Sequence, residues 1–214
     1  MLRILQPELL DSLPPDHPDA QHNRRDIRRI NRLMGNFRWF AHTLPPLLRP
    51  GEIPLEMGAG TGELALNLAR RGIDVDALDL WPTPKLWPAD RRWHRADLRY
   101  FSGYGDYPVI LGNLIFHQFS EEDLAALGTQ LRASARVIIA CEPLRRPLSQ
   151  TFYQLFGPLM GANHVSLHDA HVSIAAGFCD EELPRALGLA RPDWDVRCTS
   201  TALGAYRMVA VRRS

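Results

Sequence analysis

The feature that most constrains this chain is a glycine loop set between a strand pattern and a helix pattern. Residues 53–57, IPLEM, form a short apolar run; Gly58, Gly60 and Gly62 follow in GAGTG; ELALNLARRG then has helical spacing and is closed by Gly72. Glycine lets the backbone turn sharply and lets a ligand approach without a Cβ in the way. Many nucleotide folds carry such a loop, so its spacing has to discriminate. A dinucleotide fingerprint, G-x-G-x-x-G, needs a third glycine where Glu63 stands, and a P-loop needs a lysine that the loop lacks. Both pyrophosphate readings lose ground, and with them a nicotinamide-dependent dehydrogenase.

The pattern after the loop alternates. IDVDALDL (73–80), RRWHRAD (91–97), YPVILGNLIF (107–116) and ARVIIACEP (135–143) read as strands. SEEDLAALGTQL (120–131), PLSQTFYQLFGPLM (147–160) and DEELPRALGL (180–189) read as helices, the first with a near capping box from Ser120 to Asp123. Three prolines in WPTPKLWPAD (81–90) forbid a long helix there. WDVRCTSTAL and YRMVAVRR read as a closing hairpin. Strands alternating with helices imply parallel βαβ units, so the expected fold is α/β, a Rossmann-like, doubly wound, seven-stranded and mostly parallel sheet.

Ahead of the loop, residues 11–20 read as proline- and aspartate-rich loop, and 21–40 as one amphipathic helix with Ile27, Ile30, Met34 and Phe37 on its apolar stripe. Arg24, Arg25, Arg28, Arg29 and Arg32 lie mostly off that stripe, as a solvated basic face or as a source of one arginine for an anionic group. The expected division is an N-terminal helical cap over 1–50 and a main domain over 51–214. A length of 214 residues and a hydrophobic fraction of 45% suit one soluble domain with a real core. The net charge of +1 gives no strong field for nucleic acid or an anionic membrane. Cys141, Cys179 and Cys198 form no CxxC pair, and the N-terminus has no signal-peptide pattern, so a reducing, cytoplasmic setting is expected.

LEMGAGTGELALNLA resembles the first motif of the class I S-adenosylmethionine-dependent methyltransferases, small-molecule type. The resemblance implies S-adenosyl-L-methionine as cofactor, with Glu56 near its methionine ammonium and Gly58, Ala59 and Gly60 forming the loop against it. It places Asp79, with Leu80, at the ribose hydroxyls, and Asp97-Leu98 at the adenine. The stretch NLIFHQF (113–119) is similar to the fourth-strand motif of many such enzymes and adds Asn113 to the cofactor side. A strand-end turn competes as the account of Asp79, and a helix cap as that of Asp97.

The segment 163–178, NHVSLHDAHVSIAAGF, crowds His164, His168, Asp169 and His171 together and reads as a loop, either at the active site or on the surface. Zinc is the lesser reading, because no cysteine joins them and methyl transfer needs no metal. The segment, Glu142-Pro143-Leu144-Arg145 and the arginine-rich helix resemble more weakly the bacterial methyltransferases associated with polyketide synthases of the chalcone-synthase type. That resemblance implies a phenolic or enolic acceptor and secondary metabolism, with His168 and then His117 as candidate catalytic bases. Trp39, Phe40, Trp81, Trp87, Phe116, Phe119, Tyr153 and Phe156 are expected mostly in the core, with some lining a flat acceptor pocket. Methylation of RNA or protein, and a non-catalytic cofactor-binding subunit, stand as alternatives.

Overall fold

The computed structural model describes residues 2–14 and 16–213. Its centre is a seven-stranded sheet in the order β3-β2-β1-β4-β5-β7-β6. The strands are β1 (Leu55–Met57), β2 (Asp76–Asp79), β3 (Trp93–Arg95), β4 (Val109–Asn113), β5 (Val137–Pro143), β6 (Trp194–Ser200) and β7 (Ala205–Arg212). The first five pair in parallel; β7 runs antiparallel to both β5 and β6. Helices α1 (Pro18–Leu33), α2 (Asn36–Thr43), α3 (Glu63–Ala69), α4 (Glu121–Ser134), α5 (Pro147–Phe156), α6 (His164–Ala176) and α7 (Glu182–Ala186) complete the fold.

Alternation along the central strands divides the core into two layers. Val137, Ile139 and Cys141 pack with Val109 and Leu111 against α3 and α2, while Ile138 and Ala140 pack with Ile110 and Met208 against α4. Both layers are apolar, which is why β4 and β5 read as nearly continuous hydrophobic runs. The Ser120 hydroxyl accepts the Asp123 N–H and starts α4 where the capping pattern places it.

Two expectations are corrected. The single helix over 21–40 is two: Gly35 adopts φ 66°, which ends α1, and α2 starts again at Asn36. The histidine-rich segment is not a loop but α6, capped by the Asn163 side chain, which accepts the Ser166 N–H at 2.9 Å. Phe40 and Leu44 of the α2 region are fully buried among Leu64, Leu68, Val109 and Ile139, so the N-terminal helices share a core with the sheet. Among the described residues no helix is long and apolar enough to cross a membrane.

Candidate active site

The strand order reverses between β1 and β4, and a cavity of about 1260 Å³ opens there, beyond the carboxyl ends of the strands. The glycine loop forms one wall. Gly58 has φ 63°, and a Cβ on it would lie 2.4 Å from the Ile115 side chain, so only glycine fits. Gly60 has φ 59° and nothing within 4 Å of where a Cβ would be, so the backbone there faces open space. At the end of β4, Leu114 also takes a positive φ of 60°, an uncommon conformation for a side-chain-bearing residue, and it lines the same cavity.

Carboxylates surround the loop. Asp79, at the end of β2, accepts the Gly60 N–H at 2.7 Å and the Trp81 N–H at 2.9 Å. It therefore does act as a strand-end turn residue, and it also lines the cavity with lone pairs to spare. Burial raises its pKa, against the pull of those backbone donors. Glu56 sits one strand over, where burial pushes its carboxyl up to about 8 despite the Ala65 N–H donated at 3.0 Å. A cation arriving in the cavity would favour its ionised form. Asn113, at the end of β4, donates to the Asn31 side chain at 3.1 Å, while its own carbonyl oxygen is buried without a hydrogen-bond partner among the described residues. Asp97 caps the short turn Leu98–Tyr100 and holds Arg99, which lowers its pKa, so the capping account applies to it as well. Ala59, Leu80 and Leu98 complete this side of the wall.

The opposite side combines His117 and Asp169, which the sequence singled out, with Glu8 and Asp11, which it did not. Glu142, buried at the end of β5, accepts the N–H groups of Ile115, Phe116 and His117 and so shapes the turn after β4. It also accepts a hydrogen bond from His117 Nδ1 at 2.6 Å, while His117 Nε2 donates to Glu8 at 3.3 Å. Burial works against a charge on His117, yet the hydrogen bonds to the two carboxylates prevail and raise it to about 9. The two carboxylates thus draw His117 toward its protonated form. Glu8 is also hydrogen-bonded by the Ser173 hydroxyl. Asp169 accepts Leu9 N–H at 2.7 Å, Leu10 N–H at 3.1 Å and the Asn23 amide at 2.8 Å. Together these contacts hold the N-terminal segment against α6, with Glu8, Leu10 and Asp11 among the cavity lining. Asp11, an exposed residue of that segment, lines the cavity, and partial burial there, then the nearby carboxylates of Glu8 and Asp169, push its carboxyl up to about 6.

His168 stands differently. It lies on α6 with its ring half-exposed, and Nδ1 is 3.1 Å from Asp169 Oδ1. It is not among the cavity-lining residues, and His164 and His171 are exposed. Among the described residues no three His, Cys, Asp or Glu side chains are grouped to hold a metal ion. Of the arginines on α1, Arg28 pairs with Glu63 at 3.2 Å, and Arg24 lies 5.8 Å from the Trp81 ring centroid. Arg145 of the EPLR stretch binds the Gly177 carbonyl and Glu182, a bond between β5 and the chain after α6 rather than a cavity contact. Phe40 and Phe116 are core residues, whereas Trp81, Phe119 and Tyr153 line the cavity. Nothing in the residues around Glu8 or Asp11 marks them; only the fold brings them here.

Solved structures share this architecture. The plantazolicin methyltransferase BpumL, in complex with S-adenosylhomocysteine, superposes with a TM-score of 0.72 at 13% identity, covering 96% of this chain and 93% of that one. The magnesium protoporphyrin IX methyltransferase of Synechocystis PCC 6803, also with S-adenosylhomocysteine, gives 0.53 at 17% identity over 87% and 84%. The pyocyanin biosynthetic protein PhzM gives 0.59 at 19% identity, covering 92% of this chain and 60% of that one. This chain has the class I methyltransferase fold. The antiparallel β7 inserted beside β5, the glycine loop after β1 and the acid ending β2 are the elements of that fold already described. No protein-family model and no curated protein sequence matches the chain.

Proposed function

We propose that the protein is an S-adenosylmethionine-dependent methyltransferase acting on a small organic acceptor, with a phenolic or enolic hydroxyl as the favoured target. The observation that carries this reading is the cradle at the switch point. There, Asp79 ties the glycine loop to β2 while keeping free lone pairs, and open space lies over Gly60. The cofactor fits these residues: Asp79 suits its ribose hydroxyls, and buried Glu56 with the unpartnered Asn113 oxygen suits its ammonium. Leu80 and Asp97-Leu98 are assigned to the rest of the nucleoside. The presence of S-adenosylhomocysteine in two of the similar structures supports the same assignment.

The bound cofactor would supply a methyl group activated by a sulfonium. The protein's own part is to orient the acceptor oxygen and to take its proton. A phenol with a pKa near 10 costs about 4 kcal/mol to ionise at pH 7, so a base beside it is useful. We assign that role to Asp11, which faces the cavity, and give His117 the task of holding Glu8 through its charge. His168 is the second reading, favoured by its contact with Asp169.

Calorimetry with S-adenosylhomocysteine tests the cofactor site. Hydrogen bonds to a charged group contribute about 1.5–3 kcal/mol each. Asp79→Ala should thus weaken binding by roughly ten- to several-hundred-fold in a folded protein. Unchanged affinity would remove the ribose assignment. Labelled methyl transfer into fractionated extracts then separates the acceptors: label in small molecules supports the reading, and label in RNA or protein supports its rival.

A further inference from the structure

The cavity is larger than a cofactor site alone. Its volume of about 1260 Å³ exceeds the roughly 300–1,000 Å³ of an ordinary ligand pocket. The surplus has a chemical character. Apart from Leu80 and Trp81 beside the glycine loop, five large apolar side chains that the protein leaves exposed line this one space: Leu33 at 62%, Leu148 at 65%, Phe152 at 55%, Met160 at 47% and Leu203 at 60%. They come from four separate segments, namely the end of α1, α5, the turn after α5 and the β6–β7 turn.

These segments are held together. Arg29 of α1 reaches the Met160 carbonyl at 3.5 Å, the Leu144 N–H donates to Gly204 beside Leu203 at 2.8 Å, and Gly204 lies against Ser149 of α5. Large apolar side chains left uncovered around one cavity mark a place where something apolar binds. Here the wall is continuous with the cavity that holds Asp79 and Asp11, so an occupant of that cavity is the molecule able to cover it.

We propose that the acceptor carries an extended hydrocarbon portion, such as an alkyl chain, seated on Leu33, Leu148, Phe152, Met160 and Leu203 while its polar head lies near Asp11. The proposal rests on the methyl-transfer reading for the head group. The tail depends only on the wall. Burying a chain there transfers apolar surface out of water, so affinity should climb with chain length and not with head-group chemistry.

The test is a titration of protein saturated with S-adenosylhomocysteine by 4-ethylphenol, 4-butylphenol and 4-octylphenol, followed by calorimetry. Affinity should tighten by up to roughly fourfold per methylene. The double variant Leu148→Ser/Phe152→Ser should lose most of that slope and keep its S-adenosylhomocysteine affinity. Leu203→Ser, on a turn, should lose part of it and guards against a misfolded double variant. Affinity independent of chain length overturns the proposal, as does a slope that survives all three substitutions. So does a wild-type dimer that the double variant converts to monomer with unchanged alkylphenol binding, because the face then belongs to a second copy. Absence of S-adenosylhomocysteine binding defeats the methyl-transfer reading instead, and the chain-length series run without it still decides the tail.

Discussion

Asp11 illustrates how neighbours set what a side chain can do. Burial and the carboxylates of Glu8 and Asp169 disfavour its charge, Asp79 adds to them, and the His117 cation opposes. The result, about 6, is closer to neutrality than an ordinary carboxylate and better suited to accept a proton. A base with this value is ionised above pH 6, so turnover should fall about tenfold per unit below it and level off above. Asp11→Asn should reduce kcat by roughly 10²–10⁴-fold on a weakly acidic phenol, and much less on a strongly acidic one that arrives ionised. Its affinity for S-adenosylhomocysteine should not change. Near-normal kcat in Asp11→Asn, with the loss appearing in His168→Ala, would move the role to His168.

At the scale of elements, the N-terminal segment and α6 form one unit. Asp169 uses both carboxylate oxygens to hold Leu9, Leu10 and Asn23, and Glu8 adds His117 and Ser173. Arg3 extends the seam by donating to the carbonyls of Ala176, at 2.8 Å, and Phe119, at 2.7 Å. Leaving a buried donor unpaired costs about 1–3 kcal/mol. Asp169→Asn replaces one acceptor oxygen by a donor, so the Leu9 and Leu10 amides should exchange hydrogen roughly 5- to 150-fold faster. Hydrogen exchange resolved to those two amides checks this. Protection equal to the wild type would mean that other contacts hold the segment.

For the whole molecule, the helices before residue 50 both line the cavity and share the core of the sheet. Phe40 is fully buried in the layer between α2, α3 and the sheet. Phe40→Ala should destabilise by about 3–5 kcal/mol, and lower Tm by roughly 6–20 °C, as read by urea and thermal unfolding. A chain started at residue 51 lacks both Phe40 and Leu44 and should fail to unfold cooperatively. A truncated protein with wild-type Tm would restore the picture of a detachable cap.

What the residues alone determined was local. Strand and helix order follow from apolar periodicity, and the loop at 58–62 follows from glycine spacing; the acid ending β2 was legible as a motif. The Gly35 break was misread because an apolar stripe continues through it, while a glycine inside a helical pattern carries no fixed sign of its φ. In the α6 segment His, Ser and Asp hide the helical periodicity, and Asn163 is its only local start signal. Only the tertiary structure decided which groups face the cavity away from the glycine loop. Glu8 meets His117 across 109 residues of chain, and Glu142 meets it across 25. Hydrophobic pattern and turn chemistry act over a few neighbouring residues, whereas the position and charge of a buried side chain depend on what the packed fold brings against it.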